Sequence, residues 1–329
     1  MAQPSSPFEF RRLRRSDVSG YLPVVLQGIG KLERTTGLDR GSEATIRTLS
    51  RRTVWWLLGF LRAIGRPVLD IYVAAEGGRI VGTGTILWLP SSGYVAGMAT
   101  EAAYRGRGIA SRILALQREE VARRRKGWLA LDVESENETA VRVYEKAGYR
   151  EAGRFAWFAR TGLPETGPVA PDVRPATGRE LVELALALDA ARGAEYRAAL
   201  PASPRMLSHI QILVTGRRVE HRTWVVPTSV GAPIAVRASF DANARLGAYF
   251  VLPGRSPPSS DELLRAIAPA TAWLRPLSPS TSFAVAPEPS GEIGPTLERL
   301  GFAFAVRSLT MVRPATASAG TAGPAPPGG

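Results

Sequence analysis

The 329-residue chain has no cysteine and only two histidines, His209 and His221. Without thiols there are no disulfides, no thiolate metal sites and no cysteine nucleophile, and two isolated imidazoles give no zinc-type ligand set, so no metal is expected. Lysine is scarce as well, occurring only at Lys31, Lys126 and Lys146, and the formal net charge of +13 is therefore carried by arginine. The arginines form short clusters at Arg11 to Arg15, Arg51 to Arg52 and Arg123 to Arg125 rather than a stripe. Charge so dispersed favours solubility over a specific nucleic-acid partner. No window approaches the roughly 18 uninterrupted apolar residues of a membrane span, and "MAQPSSPFEFRR" lacks the apolar core of a secretory signal. The expectation is a cytoplasmic protein with no membrane partner.

What remains is ordinary globular material, 45% hydrophobic and 22% charged, at a length that suggests two domains. Residues 1–7 are a polar lead. The Pro/Gly-rich stretch "TGLPETGPVAPD", residues 161–172, reads as a linker, and residues 314–329 as a disordered tail too poor in large apolar side chains to pack. Domains are thus expected at 8–160 and 173–313. In the first, "FEFRRLRR" reads as a strand, Asp17 as the cap of a helix, and "SEATIRTLSRRTVWWLLGFLRAIG" as a second helix. Two alternating strands then flank the "EGGR" turn. The strand "GYVAGMAT", a helix from Ile109, the strand "WLALDVE", a helix from about Glu138 and a closing strand through "FAWFAR" follow, an α/β (α+β) pattern.

The chemistry starts at "YRGRGIASRIL". Two glycines and three arginines cluster at the start of an apolar helix, whose first turn offers unpaired N–H groups and the positive end of a dipole, a ready cradle for pyrophosphate. It is neither a Walker loop, since no Lys-Ser/Thr follows a suitably spaced glycine pair, nor a G-x-G-x-x-G dinucleotide fingerprint. The pattern R-x-x-G-x-A at Arg105, Gly108 and Ala110 resembles that of the GCN5-related N-acetyltransferases (GNAT). Downstream, "NETAVRVYEKAGY" matches the same family at Asn137, Ala140, Tyr144, Gly148 and Tyr149. The resemblance spans residues 8 to 160 and implies acetyl-CoA as cosubstrate, a primary amine as acceptor, and a twisted mixed sheet that splays between its fourth and fifth strands. It implies that backbone groups of Met98, Ala99 and Thr100 would meet the pantetheine arm and the thioester oxygen. It places the pyrophosphate on Arg105, Gly106, Arg107, Gly108, Ile109, Ala110 and Ser111, with Asn137 and Ala140 completing the coenzyme site.

Acetyl transfer needs a neutral amine and a protonated leaving thiol. Tyr144, a phenol with a reference pKa of about 10, fits the general acid. In "LALDVE" the side chain of Asp132 shares a face with Glu134, opposite Leu131 and Val133. Its twelve-residue step to Tyr144 resembles ribosomal-protein Nα-acetyltransferases, which carry a glutamate base there. The shorter aspartate implies a water-mediated base, with Glu134 and Glu136 as alternatives. The aromatic residues Trp55, Trp56, Phe60, Phe155, Trp157 and Phe158 are expected to wall the acceptor groove or to pack as core.

Sliding the chain by 153 residues lays "SFAVAPEPSGEIGPTLERLGF" over "LALDVESENETAVRVYEKAGY" without a gap, so the second half reads as a repeat. Its chemistry is missing: Leu297 stands at the place of Tyr144 and Val285 at that of Asp132, while the loop "LPGRSPPSS" has prolines in place of N–H donors. A tandem protein follows, with an intact first GNAT-like domain and a degenerate second one that covers apolar surface, closes the acceptor groove or mediates a homodimer. The acceptor stays open between a protein amine and a small-molecule amine such as a polyamine, aminoglycoside or amino-sugar. A non-catalytic acyl-CoA sensor is the alternative of a different class.

Overall fold

The computed structural model describes residues 7–28, 51–201, 219–226, 234–242, 244–252, 258–288 and 291–316, together with residues 30, 31, 34, 48 and 49. His209, residues 253–257 of the expected 252–260 loop and residues 317–329 lie outside the described residues, as does the expected start of the second helix. The first half runs β1 (Glu9–Arg12), α1 (Val18–Gln27), α2 (Arg52–Ala63), β2 (Leu69–Glu76), β3 (Arg79–Trp88), β4 (Ser92–Thr100), α3 (Ile109–Arg123), β5 (Trp128–Glu134), α4 (Glu138–Lys146) and β6 (Arg150–Thr161). The second runs β7 (Arg174–Pro175), α5 (Gly178–Ala191), α6 (Ala194–Ala199), β8 (Val219–Val226), β9 (Ile234–Asp241), β10 (Leu246–Leu252), α7 (Ser260–Leu274), β11 (Thr281–Pro287), α8 (Ile293–Arg299) and β12 (Ala303–Pro314).

All twelve strands form one sheet in the order β1-β2-β3-β4-β5-β12-β6-β11-β10-β9-β8-β7. The two halves exchange their last strands. β12, the end of the chain, pairs with β5 of the first half, and β6 of the first half pairs with β11 of the second, both antiparallel. The sequence offset of 153 recurs in the backbone, since β5, β6 and the bulge at Ala152 map onto β11, β12 and the bulge at Ala305. The same offset relates two arginines: Arg313 on β12 donates to the Ala147 carbonyl after α4, and Arg160 on β6 donates to the Leu300 carbonyl after α8. Each satisfies an orphan carbonyl at a helix C-terminus.

Helix faces follow the apolar spacing. Ile109, Ile113, Leu114 and Val121 of α3 bury against Ile86, Val95, Leu129 and Leu131, together with Tyr144 and Tyr149. On the other face of the sheet, α1 and α2 cover Ile71, Val73, Ile80 and Ala99 with Tyr21, Val24, Val54 and Leu61. Asp17 flanks α1 as expected but does not cap it. Its carboxylate accepts from the Arg14 N–H and from Arg11, because the short 3-10 turn before α1 brings those donors closer than the helix N–H groups. In the second half the corresponding core gathers Leu263, Ile267 and Leu274 of α7 around Tyr249, Ala284 and Ala286.

Candidate active site

The glycine loop sits where a phosphate cradle needs it. Gly106 and Gly108 both have φ of 77°, left-handed values that a side chain resists, and Gly108 is the residue before α3. No side chain caps that N-terminus, so the first N–H groups, those of Ile109, Ala110 and Ser111 among them, are left for an outside acceptor. Arg105 anchors the loop by donating from Nε to the Thr100 carbonyl at 3.2 Å. Arg107 lies over the Tyr104 ring, 5.0 Å from its centroid, and Tyr104 in turn donates to Glu76 at 2.8 Å.

The strand before the loop is opened by two features. Parallel pairing of β4 with β5 covers only Ser92, Gly93, Tyr94 and Val95 against Trp128 to Leu131, then stops. Beyond it, β4 carries an irregularity between the pairs Thr83/Ala99 and Thr85/Ala96, with Gly97 at φ of 57°, as a bulge requires. Ala99 and Thr100 still pair with β3 on one side. On the other side the backbone from Ala96 to Thr100 has no strand partner in β5. That leaves the edge of Ala96 to Thr100 that faces away from β3 without a strand, a slot of the sort an extended amide-bearing chain fills by β-augmentation.

Tyr144 comes from α4, on the α3 side of this slot. Its ring is buried with Leu129, Leu131 and Val133 and meets Tyr149 edge to face at 5.9 Å. Burial pushes its phenol up to about 12. Asn137 starts α4 by accepting from the Ala140 N–H at 3.2 Å, and Ala140 packs half-buried against the same core. In this structure both serve the placement of α4, and so of Tyr144.

Asp132 is the first residue of β5 beyond the paired stretch and lies on the opposite face. Leu129, Leu131 and Val133 pack with Tyr144, whereas Ala130 packs with Val312 and with Ala199 of α6. Asp132 and Tyr144 therefore lie on opposite faces of β5. The Asp132 carboxylate accepts from Tyr94 Oη at 2.8 Å and from Thr310 Oγ1 at 2.6 Å. It is open to solvent yet walled by enough protein that desolvation raises its pKa, a rise that the donors Thr310 and Tyr94 only partly offset. Of the alternative carboxylates, Glu136 is exposed and paired with Lys31 at 3.6 Å, and the Glu134 carbonyl accepts from the Asn137 N–H.

The aromatic residues divide differently from expectation. Trp55 donates to the Leu49 carbonyl and packs half-buried under α2, and Trp56, 72% exposed, stacks on Phe60 on the outer face of that helix. Phe158 belongs to the second half's core, and Phe155 and Trp157 pack against Phe283 and Phe250. With β6 paired to β11, Phe158 joins the second half's core, while Phe155 lies against Tyr196 and Trp157 donates to Ser308 on the Asp132 face of the sheet. Conversely, sequence reasoning missed Tyr94 and Thr310. Tyr94 was within reach, because the pair Tyr94/Ala130 sets it diagonal to Asp132 on one face. Thr310 carried no signal, lying 178 residues from Asp132. Among the described residues no cluster of three or more His, Asp or Glu side chains could hold a metal, and no helix is long and apolar enough to cross a membrane.

The family model for the acetyltransferase (GNAT) domain matches residues 67–151, from before β2 to the start of β6. No curated protein matches the chain. Two solved structures align along nearly its whole length. One is a tandem GNAT protein from the clavulanic acid biosynthesis pathway, 14% identical, with a TM-score of 0.60 over 94% of this chain and 99% of that one. Another is a GCN5-related N-acetyltransferase from Sphaerobacter thermophilus, 14% identical, with a TM-score of 0.57 over 95% and 97%. At this identity the two alignments speak for the fold of both halves, and the domain match speaks for the first half as an acetyl-CoA-dependent N-acetyltransferase. Residues 67–151 match the acetyltransferase (GNAT) domain family, and the chain as a whole has the fold of a tandem GNAT protein.

Proposed function

We propose that the first half transfers an acetyl group from acetyl-CoA directly to a primary amine at the opening between β4 and β5. The observation that carries this reading is the end of β4/β5 pairing at Val95 and Leu131, with a hydrogen-bonded carboxylate on one face and a buried phenol on the other. The pyrophosphate rests on the N–H groups of residues 108–111 beside Arg105 and Arg107, and the pantetheine arm pairs with the free edge of residues 96–100. A backbone amide of the Met98 to Thr100 edge receives the thioester oxygen as negative charge develops there.

The amine approaches on the α1 side, where Asp132 accepts its proton directly or through one water. The nitrogen attacks the thioester carbon, the C–S bond breaks, and the sulfur leaves toward the α3 side, where Tyr144 donates. With its pKa at about 12, against about 8.5 for an ordinary thiol, the phenol is a hydrogen-bond donor throughout the working range. It gives its proton only in concert with C–S cleavage and regains one from the amine by way of solvent. The asymmetric protection of the two groups, one wet and one dry, fits these roles. Residues 8–160 are the catalytic domain in this reading, with β12 as a strand borrowed from the second.

The test is free thiol release from acetyl-CoA across a panel of primary amines, including spermidine, an aminoglycoside and peptides with free N-termini. At least one is acetylated, and Tyr144→Phe lowers kcat about 100-fold with that amine while acetyl-CoA still binds. Wild-type turnover by Tyr144→Phe would remove the acid role, and coenzyme binding without turnover of any amine would favour the sensor.

A further inference from the structure

We infer that Thr310, on the last strand of the chain, is a positioning residue for the Asp132 carboxylate, so that the catalytically silent second half completes the first half's site. This rests on the reading of Asp132 as the base.

Thr310 stands directly opposite Asp132 in the β5/β12 register, on the same face of the sheet, and its side chain is buried at 1% exposure. Its hydroxyl donates to Oδ1, and Tyr94 donates to Oδ2. One donor on each oxygen fixes the plane of the carboxylate and leaves lone pairs on both oxygens for the incoming amine or a bridging water. A threonine hydroxyl in a strand is a stiff donor, since β-branching restricts χ1, and Tyr196 of α6 presses the same spot from above. The Tyr196 ring lies so close to Gly153, the β6 partner of Thr310, that a Cβ there would sit 3.2 Å from it.

The repeat supplies an internal control. By strand pairing, Trp157 stands at the place of Thr310, Val285 at that of Asp132 and Ala248 at that of Tyr94. All three polar groups of the working half are apolar in the silent half. There the pair Val285/Trp157 packs with Phe283 and Phe250, and the Trp157 indole turns its N–H to Ser308 at 2.8 Å. A hydroxyl kept only to satisfy the sheet would have no reason to be absent wherever the carboxylate is absent. The titratable groups facing Asp132 are Tyr94 from β4 and Tyr196 from α6. Both are held protonated by burial, and Arg192 lies over the Tyr196 ring at 4.5 Å.

The deciding measurement is a carboxyl 13C NMR titration of the full chain, with the Asp132 signal identified by its loss in Asp132→Asn. Thr310→Val keeps the shape and removes the donor. It is expected to raise the Asp132 midpoint by about one pH unit, the effect of losing a hydrogen bond to the charged form. Thr310→Ser restores the wild-type midpoint. The acid limb of thiol release from acetyl-CoA, measured with spermidine, moves up by the same amount in Thr310→Val. An unmoved midpoint in folded Thr310→Val overturns the positioning role. A shift that Thr310→Ser fails to restore overturns it too, because loss of packing rather than of the donor would then be responsible. Full thiol release by Asp132→Asn removes instead the base assignment, and the inference with it, whereas an inactive Asp132→Asn beside an unshifted Thr310→Val leaves the base assignment standing.

Discussion

The two halves of the molecule share a backbone and differ in what the backbone has been allowed to close. In the first, β4 leaves β5 after four paired positions and carries a bulge at Gly97. In the second, β10 pairs with β11 over five positions, through Phe250 and Val285, and runs against β9 without any irregularity. One extra rung and a missing bulge turn a slot into continuous sheet, and Phe250, Phe283 and Trp157 fill the face on which Asp132 stands in the first half. The difference ties the proposed activity of the first half to a local failure of strand pairing. That failure leaves amides unpaired, a cost that a bound pantetheine would remove.

The halves are nevertheless one structural unit, and the largest expected effect comes from cutting what they share. A chain ending at residue 302 lacks β12, which both fills the gap between β5 and β6 and supplies the buried Leu309, Met311 and Val312. Loss of three such side chains and of two ladders' worth of hydrogen bonds exceeds the roughly 5–15 kcal/mol stability of a domain. Neither half should then give a cooperative thermal transition by circular dichroism. A folded first half in that truncation would show that the exchange is an accessory to the fold.

The slot itself is tested by Gly108→Ala. No atom lies within 4 Å of a Cβ built there, so the only penalty is φ of 77°, on the order of 1 kcal/mol. Relaxation of that strain tilts the N–H groups of α3 away from the phosphate. The expected result is acetyl-CoA binding weakened about five- to tenfold by calorimetry, with the melting temperature lowered by no more than a few degrees. The corresponding loop of the second half lies outside the described residues.

Legibility divides along the same line. The segment from β5 through β6 was readable because its repeat is ungapped and its signature residues, Asn137, Ala140 and Tyr144, sit on one short helix whose start Asn137 itself defines. The glycine loop was readable for a similar reason: positive φ at two positions leaves a compositional mark. The exchange of β6 and β12 was not. Each is a twelve-residue strand, and nothing local in either says which neighbour it will choose. Two sheets joined by a linker and one sheet of twelve strands therefore have the same sequence signature. Thr310, the cross-strand partner of Asp132, was hidden for this reason, as was the pairing of the strand of Phe155, Trp157 and Phe158 with the other half.

The smallest effect sharpens the comparison most. Arg313 and Arg160 are equivalent by the offset of 153, and each donates to the carbonyl that ends the helix above it. Replacement by methionine keeps most of the stem and removes the donor, leaving one half-buried carbonyl short of a partner at a cost of about 1 kcal/mol. The two variants should lower the melting temperature by similar amounts, about 2–4 °C for a chain of this size. Their effects on catalysis should not be similar. Arg313 ties β12 to the end of α4, which carries Tyr144, so Arg313→Met loosens the helix that aims the phenol and is expected to lower kcat severalfold. Arg160 ties β6 to α8, where Leu297 occupies the equivalent place, and Arg160→Met leaves kcat unchanged. Equal losses of kcat in both variants would mean that catalysis senses the stability of the whole sheet rather than the pose of one helix, and would place the functional asymmetry of the halves in the slot alone.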